Sequence, residues 1–203
     1  MRRKLMLFWF VLLLMACSEG QKLQYKNGLA VIPEARPGER VATYAGGCFW
    51  SMQECMIELK GVRQAISGYA EHAEAVQVYY DPEVISFEQL TSAFFHAHDP
   101  TQVDRQGPDI GSNYRSIAFF RSPEEYRSIT KQMKSIAASG RYSNPVATEV
   151  LPYQSISGAE MEHQDYYKNN SWDTYIRKVS KPKVMKLRKE LPLLIKKEYL
   201  NRK

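Results

Sequence analysis

Chemistry is most concentrated in Ala45-Gly46-Gly47-Cys48-Phe49-Trp50. The residues before it, Arg40 to Tyr44, include Val, Thr and Tyr, which suit a half-buried strand. The residues after it, Ser51 to Lys60, place Met52, Met56 and Leu59 at helical spacing. Two glycines at the join let the backbone turn tightly from strand to helix. Cys48 is therefore expected at a helix N-terminus, where unpaired N–H groups and the helix dipole favour an anion. A free thiol ionises with a pKa of about 8.5; this position is expected to lower that value and make Cys48 a nucleophile. Phe49 and Trp50 would wall an apolar pocket for whatever is attacked. A buried structural cysteine beside a core Phe-Trp pair is the alternative reading, and spacing alone does not separate the two.

The elements that must position this stretch follow from the rest of the pattern. Gly61 fits the end of the Cys48 helix. Strands are expected over Val62 to Gly68 and Ala75 to Tyr80, the second with Val76, Val78 and Tyr80 on one face. Ser86 caps a helix through Phe94, with Gln89 in its first turn. Asp99 to Ser112, rich in Pro, Gly and Asp, reads as a long ordered loop. Ser116 to Phe120 reads as a strand. Ser122-Pro123 starts a helix that runs to about Ala138. Ala147 to Leu151 reads as a strand, Ala159 to Lys168 as a short helix, and Val184 to Leu191 as a basic helix with Val184, Leu187 and Leu191 on one face. This order of strands and helices gives an α+β fold.

The N-terminus has a different character. Arg2, Arg3 and Lys4 precede an unbroken apolar run of twelve residues, Leu5 to Ala16, followed by Cys17. The run is too short to span a bilayer, which takes about 20 residues, and fits the apolar region of a secretory signal. Leu14-Met15-Ala16-Cys17 resembles a bacterial lipobox. That resemblance implies cleavage before Cys17 and lipid attachment to it, stable membrane anchoring, and a location facing the periplasm or cell exterior. Ser18 after the lipid-bearing cysteine would permit outer-membrane sorting in a Gram-negative source. The domain reading is a signal peptide over 1–16, a polar tether over 17–39 and a folded domain over 40–203. Setting aside the three basic residues of the signal leaves 25 basic against 22 acidic residues, a balance of +3. That is weak ground for nucleic-acid binding, and none is expected. Cys48 and Cys55 are then the remaining cysteines, so the domain is held by its core rather than by a disulfide framework.

Five ordered motifs resemble the A-type peptide methionine sulfoxide reductases. They are Gly46-Gly47-Cys48-Phe49-Trp50, His72-Ala73-Glu74-Ala75-Val76, His98-Asp99-Pro100-Thr101-Gln102, Arg105 to Ser116, and Glu162-His163-Gln164-Asp165-Tyr166. The match runs from about Val41 to Leu191. The resemblance implies a two-layer, ferredoxin-like α/β plait with long loops. It also implies reduction of methionine S-sulfoxide, free or in oxidised proteins. Cys48 would be the nucleophile and would become a sulfenic acid. Glu74 would be the general acid, its pKa raised near an apolar pocket. Tyr114 would donate a hydrogen bond to the sulfoxide oxygen, Asp109 would help position it, and Phe49 and Trp50 would hold the S-methyl group. No bound cofactor is implied. The partners would be the sulfoxide, a thioredoxin-like protein or small thiol as reductant, and the membrane through the lipid anchor, with the protein acting as a monomer.

The chain departs from the family pattern in two places. No cysteine follows Cys55, whereas many members carry resolving cysteines towards the C-terminus; Tyr175 is followed here by Ile176. On a straight helix, Cys48 and Cys55 would stand about 10 Å apart, beyond the roughly 7 Å a disulfide tolerates. A sulfenic acid at Cys48 would then be reduced directly by an external thiol. Only Ala70-Glu71 separate Gly68-Tyr69 from His72, where relatives have a longer loop with an active-site tyrosine. The expected consequences are a wider, wetter pocket and slower turnover. Two other readings remain open from sequence. One is a metal site using His96, His98 and Asp99, which lacks a recognised ligand spacing. The other is a lipid-anchored binding protein that keeps the reductase fold with weak or no turnover.

Overall fold

The computed structural model describes residues 22–202. The expected signal segment and Cys17 lie outside the described residues. Among the described residues, no helix is long and apolar enough to cross a membrane.

The strands are β1 (Tyr25–Lys26), β2 (Leu29–Ala30), β3 (Arg40–Gly46), β4 (Val62–Ala70), β5 (Ala73–Tyr80), β6 (Arg105–Gln106), β7 (Asp109–Ile110), β8 (Ser116–Phe120), β9 (Glu149–Pro152) and β10 (Ser157–Gly158). The helices are α1 (Phe49–Ile57), α2 (Phe87–Ala97), α3 (Pro123–Ala138), α4 (Tyr166–Asn169), α5 (Lys181–Glu190) and α6 (Lys197–Leu200). Six strands form one mixed sheet in the order β10-β4-β5-β3-β8-β9, with β8 and β9 parallel and every other pair antiparallel. The α+β expectation holds at this level, as a mixed sheet with α1, α2, α3 and α5 packed together against it.

Strand period decides which side chains meet the helices. Ala42 and Tyr44 of β3, with Val76, Val78 and Tyr80 of β5, join the core that contains Phe49, Met52 and Met56 of α1 and Leu90 and Phe94 of α2. Glu74 has the same parity as Val76 and so faces the helix layer at the end of β5. Ala73 and Ala75 have the other parity. They pack on the opposite face with Ile117, Phe119 and Ile156.

Helix starts follow the expected chemistry. Ser86 and Gln89 form a reciprocal capping box at the start of α2, and Ser122 caps α3 with Pro123 at its first position. Two expectations are corrected. Residues 22–39 are not a free tether. The β1–β2 hairpin lies on the sheet, with the Ala30 N–H donating to the Ala159 carbonyl at 3.0 Å and the Tyr79 hydroxyl donating to the Pro33 carbonyl at 2.5 Å. Leu23, Tyr25 and Ile32 cover Ile66 and Tyr79, which would otherwise expose apolar surface. Residues 159–168 are not one helix either. A single 3-10 turn over Met161–His163 ends before Asp165, whose left-handed backbone (φ 52°) separates it from α4. The Gln164 side chain is drawn inward to the Ser67 backbone and to Gln53, which fixes the bend.

The short β4–β5 connection is a two-residue hairpin turn. Glu71 and His72 both have positive φ, 49° and 60°, as a type I′ turn requires. Neither residue has the Asn or Gly side chain that makes this backbone inexpensive. His72 is exposed, so replacing it should relieve the turn without disturbing packing. His72→Gly is expected to raise stability by about 0.5 to 1 kcal/mol in urea unfolding, the left-handed relief less the added chain entropy. An unchanged or lower stability would show that the turn carries no such strain.

Candidate active site

Cys48 occupies the N-cap of α1 (φ −53°, ψ 122°). The turn that delivers it there needs both preceding glycines. A Cβ on Gly46 would lie 2.6 Å from the Met52 side chain. Gly47 has φ +85°, and a Cβ there would lie 2.5 Å from Gln106. Gln106 is fixed in turn: its side-chain amide donates to the Asp99 carbonyl at 2.9 Å and its amide oxygen accepts from the Asp99 N–H at 3.1 Å. The Asp99 carboxylate holds Thr101 and Gln102. The two loop motifs thus brace each other under the Cys48 turn, and they place β7 and the 3-10 turn Ser112–Tyr114 beside it.

Glu74 meets Cys48 through the helix start. The Phe49 N–H, one of the unpaired donors of the first turn of α1, donates to Glu74 Oε2 at 3.0 Å. Burial is the main reason the Glu74 carboxyl is pushed up, to about 7; the Phe49 N–H opposes this and Asp109 adds to it. The expectation of a raised Glu74 pKa agrees with this geometry. The expectation of a depressed thiol pKa is overturned. Cys48 is only 6% exposed, and burial, then the Glu74 carboxylate, push its thiol up to about 11. The Tyr175 phenol and the Trp50 backbone N–H oppose the rise without cancelling it. The helix terminus is present, but desolvation beside an acid outweighs it.

Tyr175 is the site residue that sequence reasoning passed over, noting it only as the neighbour of a missing cysteine. Its hydroxyl donates to Asp109 Oδ2 at 2.6 Å and lies beside the Cys48 sulfur. Asp109 therefore holds Tyr175 while also standing near Tyr114. Tyr114 stands among Glu74, Asp109 and Cys48; burial first, then Glu74, raise its pKa, so it keeps its proton. The short hairpin does not leave the thiol open to solvent. Tyr175, arriving from the C-terminal part of the chain, stands against the thiol, and Cys48 stays buried.

The aromatic wall is larger than two rings. Phe49 lies 5.6 Å from Tyr69 and 5.3 Å from His163, centroid to centroid. Trp50 stacks on Tyr166 at 3.7 Å and meets the edge of Tyr175 at 5.7 Å. Its indole N–H donates to His163 Nδ1 at 3.3 Å. The remaining histidines are spread apart. His72 is in the hairpin turn. His96 contacts the Ser92 carbonyl, and His98, buried and held neutral by desolvation at a pKa of about 4, is engaged by the Phe94 carbonyl and Ser116. Among the described residues, no three His, Cys, Asp or Glu side chains gather as a metal cluster. Cys55 is fully buried on the same helix, and burial raises its thiol further than that of Cys48.

A buried thiol, a carboxyl with a raised pKa and protonated phenols beside an aromatic wall define a thiol-based redox site. The peptide methionine sulfoxide reductase family model matches residues 40–72 and 70–193, the two stretches meeting at the β4–β5 turn. The chain is 39% identical over 170 residues to a peptide methionine sulfoxide reductase of Rhodopirellula baltica, covering 75% of this chain and 88% of that one. It is 37% identical over 164 residues to one of Natronomonas pharaonis, covering 72% and 92%. Among solved structures it resembles Mxr1 of Saccharomyces cerevisiae in reduced form, with TM-score 0.64, 29% identity and coverage of 69% and 91%. It also resembles methionine sulfoxide reductase A of Corynebacterium diphtheriae, with TM-score 0.60, 28% identity and coverage of 68% and 78%. The chain belongs to the peptide methionine sulfoxide reductase family, oxidoreductases that act on methionine sulfoxide.

The pH dependence follows from proton counting. For a site in which Cys48 attacks and Glu74 supplies the proton, attack needs a thiolate and the departing oxygen needs a proton, so the competent form would hold one proton between them. Their titrations belong to the pair. Turnover should rise as pH passes up through about 7, where the first proton leaves, and fall as the second leaves near about 11. Glu74→Gln removes the shared proton. Its turnover should drop at least about a hundredfold, and its pH limb should move away from 7 to the ionisation of Cys48 alone. A variant that kept the limb near 7 would show that another group supplies it.

Proposed function

We propose that Cys48 attacks the sulfur of methionine S-sulfoxide, free or in proteins, while Glu74 delivers a proton to the oxygen. The observation that carries this reading is the hydrogen bond from the Phe49 N–H to Glu74 at 3.0 Å, which sets a raised carboxyl beside the thiol. Attack forms a bond between the Cys48 sulfur and the substrate sulfur. Oxygen then passes from the substrate sulfur to Cys48 as the sulfur–oxygen and sulfur–sulfur bonds break, the electron pair of the latter staying on the methionine sulfur. Methionine is reduced, Cys48 becomes a sulfenic acid, and the proton from Glu74 ends on its oxygen. Tyr114 hydrogen-bonds the sulfoxide oxygen, and Asp109 acts by orienting Tyr175. Phe49 and Trp50 hold the S-methyl group, with Tyr166 and His163 supporting Trp50.

The sulfenic acid is reduced by an external thiol. Condensation with one thiol gives a mixed disulfide and water; a second thiol returns Cys48 and carries away the disulfide. Cys55 is a poor resolving thiol because it is buried within α1, about 10 Å along the helix from Cys48. A thioredoxin-like donor is supported by a neighbour in fold, Mxr1 in complex with Trx2 (TM-score 0.51, 26% identity). The core reads as a ferredoxin-like plait. The succession β3-α1-β4-β5-α2-β8, with β4-β5-β3-β8 adjacent in that order, supports this.

The same proposal places the protein outside the cytoplasm, repairing oxidised proteins. Residues 1–16 act as a lipoprotein signal and Cys17 as the lipid attachment point, facing the periplasm or exterior, on the outer membrane in a Gram-negative source. The basic start and the apolar run before Cys17 support this reading. The same reading takes the enzyme to be a monomer.

Sulfoxide supplied without a reductant should give one thioether per protein and a sulfenic acid at Cys48 that dimedone traps. With dithiothreitol, turnover should be specific to the S epimer, vanish in Cys48→Ser and persist in Cys55→Ala. A Cys48–Cys55 disulfide in the treated protein would overturn the one-cysteine cycle.

A further inference from the structure

Lys183 is the charged group near the site that the reaction above does not use. It lies in the first turn of α5, and its Nζ is sealed from solvent with no hydrogen-bond partner among the described residues. The other orphaned buried side-chain atoms there, on Ser67, Ser128 and Tyr142, are neutral hydroxyls. An unpaired buried ammonium is costly, and folded chains seldom retain one without use. Its position is specific. Nζ lies 3.8 Å from the point where a Cβ of Gly47 would stand, against the residue that precedes the nucleophile. Burial pulls its pKa below that of an ordinary lysine, while Asp109, Cys48 and Cys55 hold the proton on.

The groups around this lysine come from three elements: Cys48 and Cys55 at and within α1, Asp109 on β7, and His98 beyond α2. His98 is neutral, Cys55 is a thiol deep in the core, and the Asp109 carboxylate already accepts from Tyr175. Cys48 in turn faces Glu74, Asp109, Tyr114 and Tyr175. Glu74 and Asp109 oppose negative charge on its sulfur, Tyr175 and the Trp50 N–H favour it only through hydrogen bonds, and Lys183 is the one cation in this group.

We propose that Lys183 is a positioning residue whose buried ammonium holds negative charge on the Cys48 sulfur. It acts on the thiolate that attacks sulfoxide sulfur and on the thiolate released when the mixed disulfide is reduced. The proposal rests on Cys48 being the nucleophile. α5 is held where the charge is needed. Arg188 makes a two-pronged ion pair with Glu58 at the end of α1, and Ser51 donates to Ser180 at 2.8 Å. The helix bearing the ammonium is therefore anchored to the helix bearing the thiol.

The test measures the rate of iodoacetamide alkylation at Cys48 against pH in the whole protein, assigned by peptide mass spectrometry. Lys183→Met keeps the stem and removes the charge; Lys183→Gln is the second variant should the first not fold. A folded neutral variant should show its alkylation midpoint raised by about one unit, a tenfold slower reaction at any fixed pH below it. Its melting temperature should not fall, because an unpaired buried charge has been removed. A folded neutral variant whose alkylation profile superimposes on that of the unmodified protein overturns the proposal. Alkylation needs no turnover, so failure of the reductase reading would appear separately, as an unmodified protein that reacts with iodoacetamide but reduces no sulfoxide.

Discussion

The hydrogen bond between the first free N–H of α1 and the carboxyl of Glu74 is the constraint on which the site depends. It forms only if β3 ends beside the start of β5, so that Ala45 pairs with Ala75. The chain must also reverse within two glycines into a helix. A helix start always leaves donors unpaired. Here one of them is satisfied by an acid instead of by water, so the acid is drawn into the dry region occupied by the thiol. Side-chain parity along β5 does the rest, since Glu74 shares the face of Val76 and Val78. The tight β4–β5 turn sets that register: its left-handed residues fix the hairpin closure three residues or fewer from Glu74.

Desolvation has opposite uses for the two groups. For Glu74 it raises the carboxyl into the neutral range, where it can hold a proton at working pH and still release it. For Cys48 it works against the thiolate. A helix N-terminus alone does not overcome that penalty when a carboxylate lies beside the sulfur. Sharing one proton across the pair resolves the conflict, because the state in which Glu74 is neutral is the state in which the thiolate meets least repulsion. The aromatic rings packed around Phe49 and Trp50 add to the burial behind both shifts, and on the proposed reading they also shape a place for a methyl group.

Much of this was legible in the sequence, because it rests on local rules. Strand parity around Val76, the Ser86–Gln89 capping box, the Ser122-Pro123 helix start and the Gly46-Gly47 turn depend on neighbours only a few residues apart. What the sequence hid depends on long-range packing. Tyr175 reaches Asp109 and Cys48 from a part of the chain with no periodic signal that points to them. The hairpin at Glu71-His72 carries no Gly or Asn, so nothing local announced a type I′ turn. The segment from Lys22 to Gly38 reads as polar linker, yet Leu23, Tyr25 and Ile32 bury surface on the sheet. The helix expected over Ala159 to Lys168 has adequate local propensity and loses to the inward pull on Gln164. The direction of the thiol shift was missed for the same reason: its burial is a tertiary property.

The most direct test of the account is a titration of the Glu74 side chain in the resting enzyme, followed by the carboxyl carbon resonance with Glu74→Gln to assign it. A midpoint near 7 is expected, because burial beside the thiol governs the group. A midpoint near the ordinary glutamate value of about 4.3 would mean that water reaches the site, that Glu74 is ionised at working pH, and that it is not the acid of the reaction.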